Sequence, residues 1–415
     1  MRIPKIRLNR TQVAWAFYDW ANSAFATTIL AAVLPAYYTR FVAASLSPSV
    51  RTAYWAYTNF AAAVLVALTA PFLGGIADRS CSRKKFWISF ALLGILATAA
   101  LYFVETGQIF RASLTFVIAM FGFSASELFY NSFLIDVAEG RESDFVSNLG
   151  YALGYVGGGL LLALNVLMIL NFKALGLNSH AHAMRLSFVS VAVWWLVFSI
   201  PSWTSVREEG CVGLPLSKAM LSGVRRIEEI FKELLRHRNA LLFLIAFWVY
   251  NDGIVTIVKM AVAYGVELGI GESELIKAIL LVQFVAAPFA LMFGLATKFV
   301  RTKHALIFAL LIYGVISVFG YKMQSAKDFY ILALMVATVQ GGAQALSRSL
   351  FSRLIPKDRK AEFFGFFSLS GKFSSVLGPL MVGLIAQVSG SGRNGALFLL
   401  VLFGLGIAIL LKVKE

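Results

Sequence analysis

Apolar residues in this chain run in long stretches, broken by short polar segments. A stretch can cross a bilayer as a helix once it holds about 20 mostly apolar residues. Twelve qualify, over 12–38, 53–77, 86–104, 112–136, 147–171, 185–205, 240–264, 274–297, 303–321, 328–350, 362–388 and 394–412. The pattern predicts an all-α membrane protein of twelve transmembrane helices. The longest connection, 207–239, has Leu221, Val224, Ile227, Phe231 and Leu234 on one side of a helical wheel and Arg225, Arg226, Glu228, Glu229 and Lys232 on the other. That spacing predicts an amphipathic linker lying along the inner membrane surface. The expected units are therefore an N-terminal six-helix bundle (1–206), the cytoplasmic linker (207–239) and a C-terminal six-helix bundle (240–415).

Composition agrees with a lipid setting. Of 415 residues, 59% are hydrophobic and 14% charged, against about a quarter charged in soluble chains. The mean hydropathy is +0.77. A formal net charge of +16 does not point to nucleic acid, because the basic residues fall between the apolar stretches rather than on one soluble unit. With the N-terminus inside, 26 Lys and Arg lie in cytoplasmic segments and 9 in external ones. This bias predicts a cytoplasmic-membrane protein with both termini in the cytoplasm. The basic start, Met1 to Arg10, runs into a stretch long enough to span, so no cleavable leader is expected. Cys81 and Cys211 both fall on the cytoplasmic side and imply no disulfide framework. The four histidines fall in predicted loops, and His180 with His182 does not complete a metal site. No cofactor or metal is expected.

The halves echo each other. Gly75-Ile76-Ala77-Asp78-Arg79 after helix 2 corresponds to Gly294-Leu295-Ala296-Thr297-Lys298 after helix 8. Gly154 with Gly157-Gly158 in helix 5 has a counterpart in Gly371 with Ser374-Ser375 in helix 11, at nearly the same offset. Two pseudo-symmetric bundles follow, arranged as a parallel repeat.

The segment from Gly74 and Gly75 through Asp78-Arg79 to Arg83-Lys84-Lys85 resembles the signature between helices 2 and 3 of the major facilitator superfamily. Cys81 stands where that pattern has its second glycine. The resemblance implies a gating latch formed by Gly74, Gly75, Asp78, Arg79 and Arg83, which breaks as the halves rock. A narrower resemblance rests on an ordered set of motifs: Trp15-Ala16-Phe17-Tyr18-Asp19-Trp20-Ala21-Asn22, Phe129-Tyr130-Asn131-Ser132, Gly150-Tyr151-Ala152-Leu153-Gly154, Tyr250-Asn251-Asp252-Gly253, Gln340-Gly341-Gly342-Ala343-Gln344 and Ser370-Gly371-Lys372. Together they are similar to the branch holding the autophagy-related amino-acid effluxers of fungal vacuoles and their bacterial relatives. The resemblance implies secondary transport, with amino-acid efflux as the leading substrate class.

Within the spans, five ionisable residues need explanation: Asp19, Glu127, Asp252, Lys259 and Lys372. Charge at membrane depth costs about 2.5–3.5 kcal/mol on insertion scales, so it normally faces an interior cavity. Asp19, Glu127 and Asp252 are candidates to hold a proton or a polar substrate group, and Lys372 to pair with an acid or meet a substrate carboxylate. The alternative, fixed ion pairs that hold helices together, stays open for each. Tyr130 and Asn131 share the face of Glu127. Asn22, Asn251, Gln340 and Gln344 can contact substrate or hydrogen-bond between helices. Lys259 is expected to snorkel outward, and Arg348 to act as a topology or latch residue. Gly150, Gly154 and Gly158 recur every four residues and predict close packing of helix 5 on a neighbour. The expectation is a monomeric, alternating-access exporter of amino acids or similar zwitterions, linked to a coupling proton or other ion, and not an enzyme: no nucleotide loop, metal cluster or nucleophile motif is present. Two alternatives are a lipid or lysolipid translocase and a metabolite-binding membrane sensor.

Overall fold

A computed structural model of the chain describes residues 8–138, 141–208, 232, 234–296, 300–355, 366–367, 370–371, 374 and 377–414. Its helices are α1 (Arg10–Val42), α2 (Pro48–Ser80), α3 (Arg83–Phe103), α4 (Ile109–Ser132), α5 (Arg141–Leu170), α6 (His180–Ser205), α7 (Arg238–Glu267), α8 (Glu272–Ala296), α9 (Thr302–Lys322), α10 (Ala326–Leu354), α11 (Leu377–Ser389) and α12 (Arg393–Leu411). Among the described residues, nine are long and apolar enough to cross a bilayer. Of the other three, α2 and α8 run 33 and 25 residues. The described part of α11 is 13 residues, and the first part of its expected span lies largely outside the described residues. So does most of the expected amphipathic linker.

The outer surface is apolar and the interior is mixed. Leu68, Leu96, Phe110 and Val388 are exposed by 62%, 68%, 80% and 88%, whereas Asn22, Asn59, Ser126 and Ser199 are buried. That distribution suits lipid outside and hydrogen-bonded contacts between helices within.

One packing plan serves both halves. In the first, α1 packs on α5 and α6, α4 on α2 and α3, and α3 on α6. In the second, α7 packs on α11 and α12, α10 on α8 and α9, and α9 on α12. Shifting each number by six converts one set into the other. The duplication extends to side chains. Tyr18 on α1 donates to Ser126 on α4 at 3.1 Å, and Tyr250 on α7 donates to Ser347 on α10 at 2.7 Å. Each serine hydroxyl passes its own proton to a carbonyl of its helix, Phe123 or Ala343.

The halves meet through α2 on α11, α5 on α8, and α1 and α2 on α7. At the end of the bundle away from the termini this seam is tight. Trp55 Nε1 donates to the Lys259 carbonyl at 2.9 Å, Tyr57 Oη donates to Gln387 Oε1, and a methyl on Gly383 would meet Ala56 Cβ at 2.7 Å. The part of α1 that faces α7 there is not regular α-helix. The Val33 N–H reaches the Thr28 carbonyl and the Ala43 N–H the Tyr38 carbonyl, both five residues back. Pro35 lies between these wide turns, lacks an N–H and crowds the carbonyl one turn earlier, which loosens the ladder.

Candidate functional site

The face of α1 that carries Asp19 and Ser23 is set by small residues on α5. A side chain on Gly150 would run into the Asp19 carboxylate, one on Gly154 would meet Ser23 Oγ at 2.5 Å, and one on Gly158 would meet the Ser23 carbonyl at 2.9 Å. A side chain on Gly157 would meet the Trp20 carbonyl oxygen at 2.7 Å. The glycine stripe therefore lets α5 approach the α1 backbone along two turns. That approach sets Asp19 opposite α4, where Tyr130 Oη donates to Asp19 Oδ2 at 2.9 Å. Tyr130 is 1% exposed and stacks on Trp15 at 4.4 Å between ring centres. Trp15 Nε1 in turn donates to the Tyr130 carbonyl at 3.0 Å. Both partners of the Tyr130–Asp19 bond are thus held by packing.

Arg348 enters this cluster from the other half. It lies on α10, and its guanidinium donates to Tyr151 Oη on α5 at 2.8 Å, with the charge 5.0 Å from the Tyr151 ring centre. The Arg348 charge acts favourably on Asp19, while the Glu127 carboxylate repels it. Tyr151 feels Arg348, Asp19 and Glu127 together. Asp19, Glu127, Tyr151 and Arg348 each remain partly accessible although they sit among packed helices. The result is two carboxylates and a guanidinium gathered where the halves face each other. The sequence signal for Arg348 was weak, because an arginine near a span end reads as a topology residue. Its role depends on a crossing between halves that no local pattern reveals.

Other expected positions fall elsewhere. Asn22 is 2% exposed, and its Nδ2 has no hydrogen bond among the described residues. Asn131, Gln340 and Gln344 are half-buried, and no described bond ties them to the cluster. Asn251 Nδ2 donates to Ser374 Oγ on the α11 side at 2.5 Å. Asp252, 3% exposed, accepts the Gly378 N–H at 2.7 Å and belongs to the interior of the second bundle rather than to the cluster. Lys372 lies outside the described residues. Lys259 is corrected: it is 1% exposed and turned into the protein, with its charge acting on Asp252, not snorkelled outward.

Gly74, Gly75, Asp78 and Arg79 occupy the last turns of α2, and the side chains of Asp78 and Arg79 lie outside the described residues. Cys81 ends that helix at φ +48°, the left-handed conformation that glycine adopts without a steric cost. This accounts for glycine at the matching place in the resembling motif. Against the expectation from its location, Cys81 is disulfide-bonded; Cys211, the other cysteine of the sequence, lies outside the described residues. Arg83 bridges Asp136 at 2.9 Å and Glu208 at 3.2 Å, and sits 4.8 Å over the Phe133 ring. Glu208 also accepts the N–H groups of Arg83 and Lys84 at 3.1 and 3.2 Å, where a carboxylate favours a helix start. Neither acid belongs to a motif, so sequence reading missed both. His180, His182 and His304 lie in the first turns of α6 and α9 rather than in loops. No group of three metal-ligating side chains occurs among the described residues.

The family model described as "Vacuole effluxer Atg22 like" matches residues 48–141 and 136–415. The chain belongs to this family. It is 36% identical over 411 residues to an uncharacterized MFS-type transporter of Bacillus subtilis (strain 168), covering 99% of this chain and 96% of that one. Autophagy-related protein 22 of Yarrowia lipolytica is 24% identical over 444 residues, covering 86% of this chain and 74% of the relative. A solved D-xylose-proton symporter superposes with a TM-score of 0.72 at 11% identity, covering 97% and 98% of the two chains. The nucleoside transporter NupG gives 0.67 at 13% identity, covering 98% and 100%. The fold is that of the major facilitator superfamily, and this Atg22-like chain is a multi-pass membrane transporter of that type.

Proposed function

We propose that this Atg22-like transporter exports amino acids or similar small zwitterions across the cytoplasmic membrane by alternating access, linked to a proton or another cation. Both termini lie in the cytoplasm in this reading, and Arg83 with the end of α2 serves as the latch. The observation that carries it is the meeting of opposite charges from facing halves: Arg348 on α10 against Asp19 and Glu127 on α1 and α4. A zwitterion presents a carboxylate and an ammonium a few ångströms apart. Arg348 supplies a planar donor for the carboxylate, and Asp19 or Glu127 an acceptor for the ammonium. Because the complementary charges belong to different halves, a bound zwitterion draws the halves together around itself. That favours an occluded state over an empty, open one. Tyr130 and Tyr151 add hydroxyls that hold the charged groups in place. The resemblance read from the sequence points to the same substrate class.

The test is counterflow of labelled amino acids in proteoliposomes, with lysolipids as a parallel set that tests the translocase alternative. Exchange of an amino acid by the wild type, lost in Arg348→Gln and partly kept in Arg348→Lys, supports the reading. Wild-type exchange that survives Arg348→Gln undiminished removes Arg348 from the site. Translocation of lysolipid alone replaces the zwitterion by a lipid.

A further inference from the structure

The second bundle holds a buried carboxylate that the charged cluster does not use. Asp252 Oδ2 takes the Gly378 N–H at 2.7 Å. Its other oxygen, Oδ1, is buried and has no hydrogen bond among the described residues. An ionised carboxylate half-satisfied in a low-dielectric interior is unstable unless something positive reaches it. Lys259, two turns further along α7, attracts it, yet among the described residues no donor closes on Oδ1. From α11 the carboxylate meets backbone N–H groups of Leu377 and Gly378, and Lys372 lies outside the described residues.

Oxygen atoms gather beside the bare one. Thr256, one turn on, donates its hydroxyl to the Asp252 carbonyl at 2.6 Å, which leaves its lone pairs free to accept. A Cβ on Gly378 would start 2.9 Å from Asp252 Oδ1, 3.1 Å from the Asp252 carbonyl, and closer still to Thr256 Oγ1. Three oxygens of α7 therefore share the face that α11 covers, and the absence of a side chain at 378 is what lets them. Hard monovalent cations are held by such sets of carboxylate, hydroxyl and carbonyl oxygens, whereas a proton needs Oδ1 alone.

We propose that Asp252, with Thr256 beside it, binds the coupling cation, a proton or a sodium ion, at a site in the second bundle separate from the zwitterion cluster. This deepens the transport reading and rests on it. Occupation removes the net charge of a carboxylate that must stay buried while α7 and α11 move against the first half. The cation thus sets when the halves can rearrange, and the substrate cluster keeps its own charges.

The experiment uses the purified full-length protein in detergent. Its melting temperature is followed against sodium chloride at alkaline pH, with choline chloride as the control, and against pH without sodium. A cation that binds only the folded protein raises stability as its concentration rises. The expected wild-type shift is about 2 °C or more with one of the two ions. Asp252→Asn, which keeps the shape of the side chain, should lose that response while its melting transition stays cooperative. Thr256→Val separates the sources: it should weaken a sodium response about tenfold, the equivalent of one lost oxygen ligand, and leave a proton response in place. A wild type that responds to neither ion, or an Asp252→Asn variant that responds as the wild type does, overturns the proposal. Absence of amino-acid exchange by the wild type sinks the transport reading instead, and the melting series still decides the cation site.

Discussion

The Tyr130–Asp19 bond shows how much of the cluster is fixed by packing before any substrate arrives. The Tyr130 ring is clamped on Trp15 and 4.7 Å from Tyr18, so removing only its hydroxyl leaves the ring in place. Tyr130→Phe should cost about 1 kcal/mol of stability, the net value of one hydrogen bond. Its larger effect should fall on transport, because the Asp19 carboxylate loses the group that orients it toward Arg348. The expected result is normal abundance, a melting temperature lowered by about 2 °C at most, and about a tenfold fall in exchange rate, the ratio equivalent to roughly 1.4 kcal/mol. Unchanged exchange would show that Asp19 is held without Tyr130. Gly157→Ala probes the neighbouring contact on stability alone. The added methyl would sit 2.7 Å from the Trp20 carbonyl oxygen and as close to its ring, an overpacking that costs about 1–3 kcal/mol. Detergent melting measures it, and a variant as stable as the wild type would mean that α5 shifts away without penalty. At this scale the sequence exposed the acids, since charge inside an apolar stretch stands out. It hid the partners. Arg348 and Asp136 looked like span ends and Glu208 like ordinary linker charge, and Lys259 read as a snorkelling residue although it lies on the buried side of α7 with Asp252 and Thr256.

Whole helices were the most legible level. A span of about 20 apolar residues has few alternatives once backbone groups must bond internally, and the start of α1 even carries a readable cap. Asn9 Oδ1 accepts the Gln12 N–H at 2.8 Å while Gln12 Oε1 accepts that of Asn9 at 2.9 Å. The irregular half of α1 was not legible, because apolar periodicity does not distinguish a wide turn from a regular one. Its position gives it a testable role. Thr27 Oγ1 donates to the Gly158 carbonyl at 3.1 Å, which binds the wide segment to α5, and the same segment lies against α7. A stretch already released from regular hydrogen bonding can change its pitch at small cost. Pro35→Ala restores the missing donor and favours regular helix. Stability should hold or rise, substrate-induced stabilisation should persist, and exchange should slow. An exchange rate equal to the wild type would assign the wide turns to packing alone.

At the scale of the molecule, the halves are joined by α2 on α11, α5 on α8 and α1 and α2 on α7, and the contacts at the end away from the termini are specific. Tyr57 and Gln387 bond across the seam between α2 and α11, and Gly383 seats α11 against Ala53 and Ala56 one turn away. If the halves rock about the charged cluster, this seam must part in each cycle, because substrate leaves on that side in an exporter. A link of short reach between positions 57 and 387 should therefore stop transport without unfolding either bundle. The experiment replaces both residues by cysteine in a background carrying Cys81→Ser and Cys211→Ser. It then crosslinks with a membrane-impermeant bifunctional thiol reagent added outside intact cells. Crosslinking from outside, with loss of exchange restored on cleaving the link, establishes the seam as an external gate and the termini as cytoplasmic. Reaction only after the cells are opened would reverse the orientation that the 26-to-9 bias of basic residues predicts. A crosslinked protein that still exchanges substrate would mean that this seam does not open, and that the halves move about some other contact.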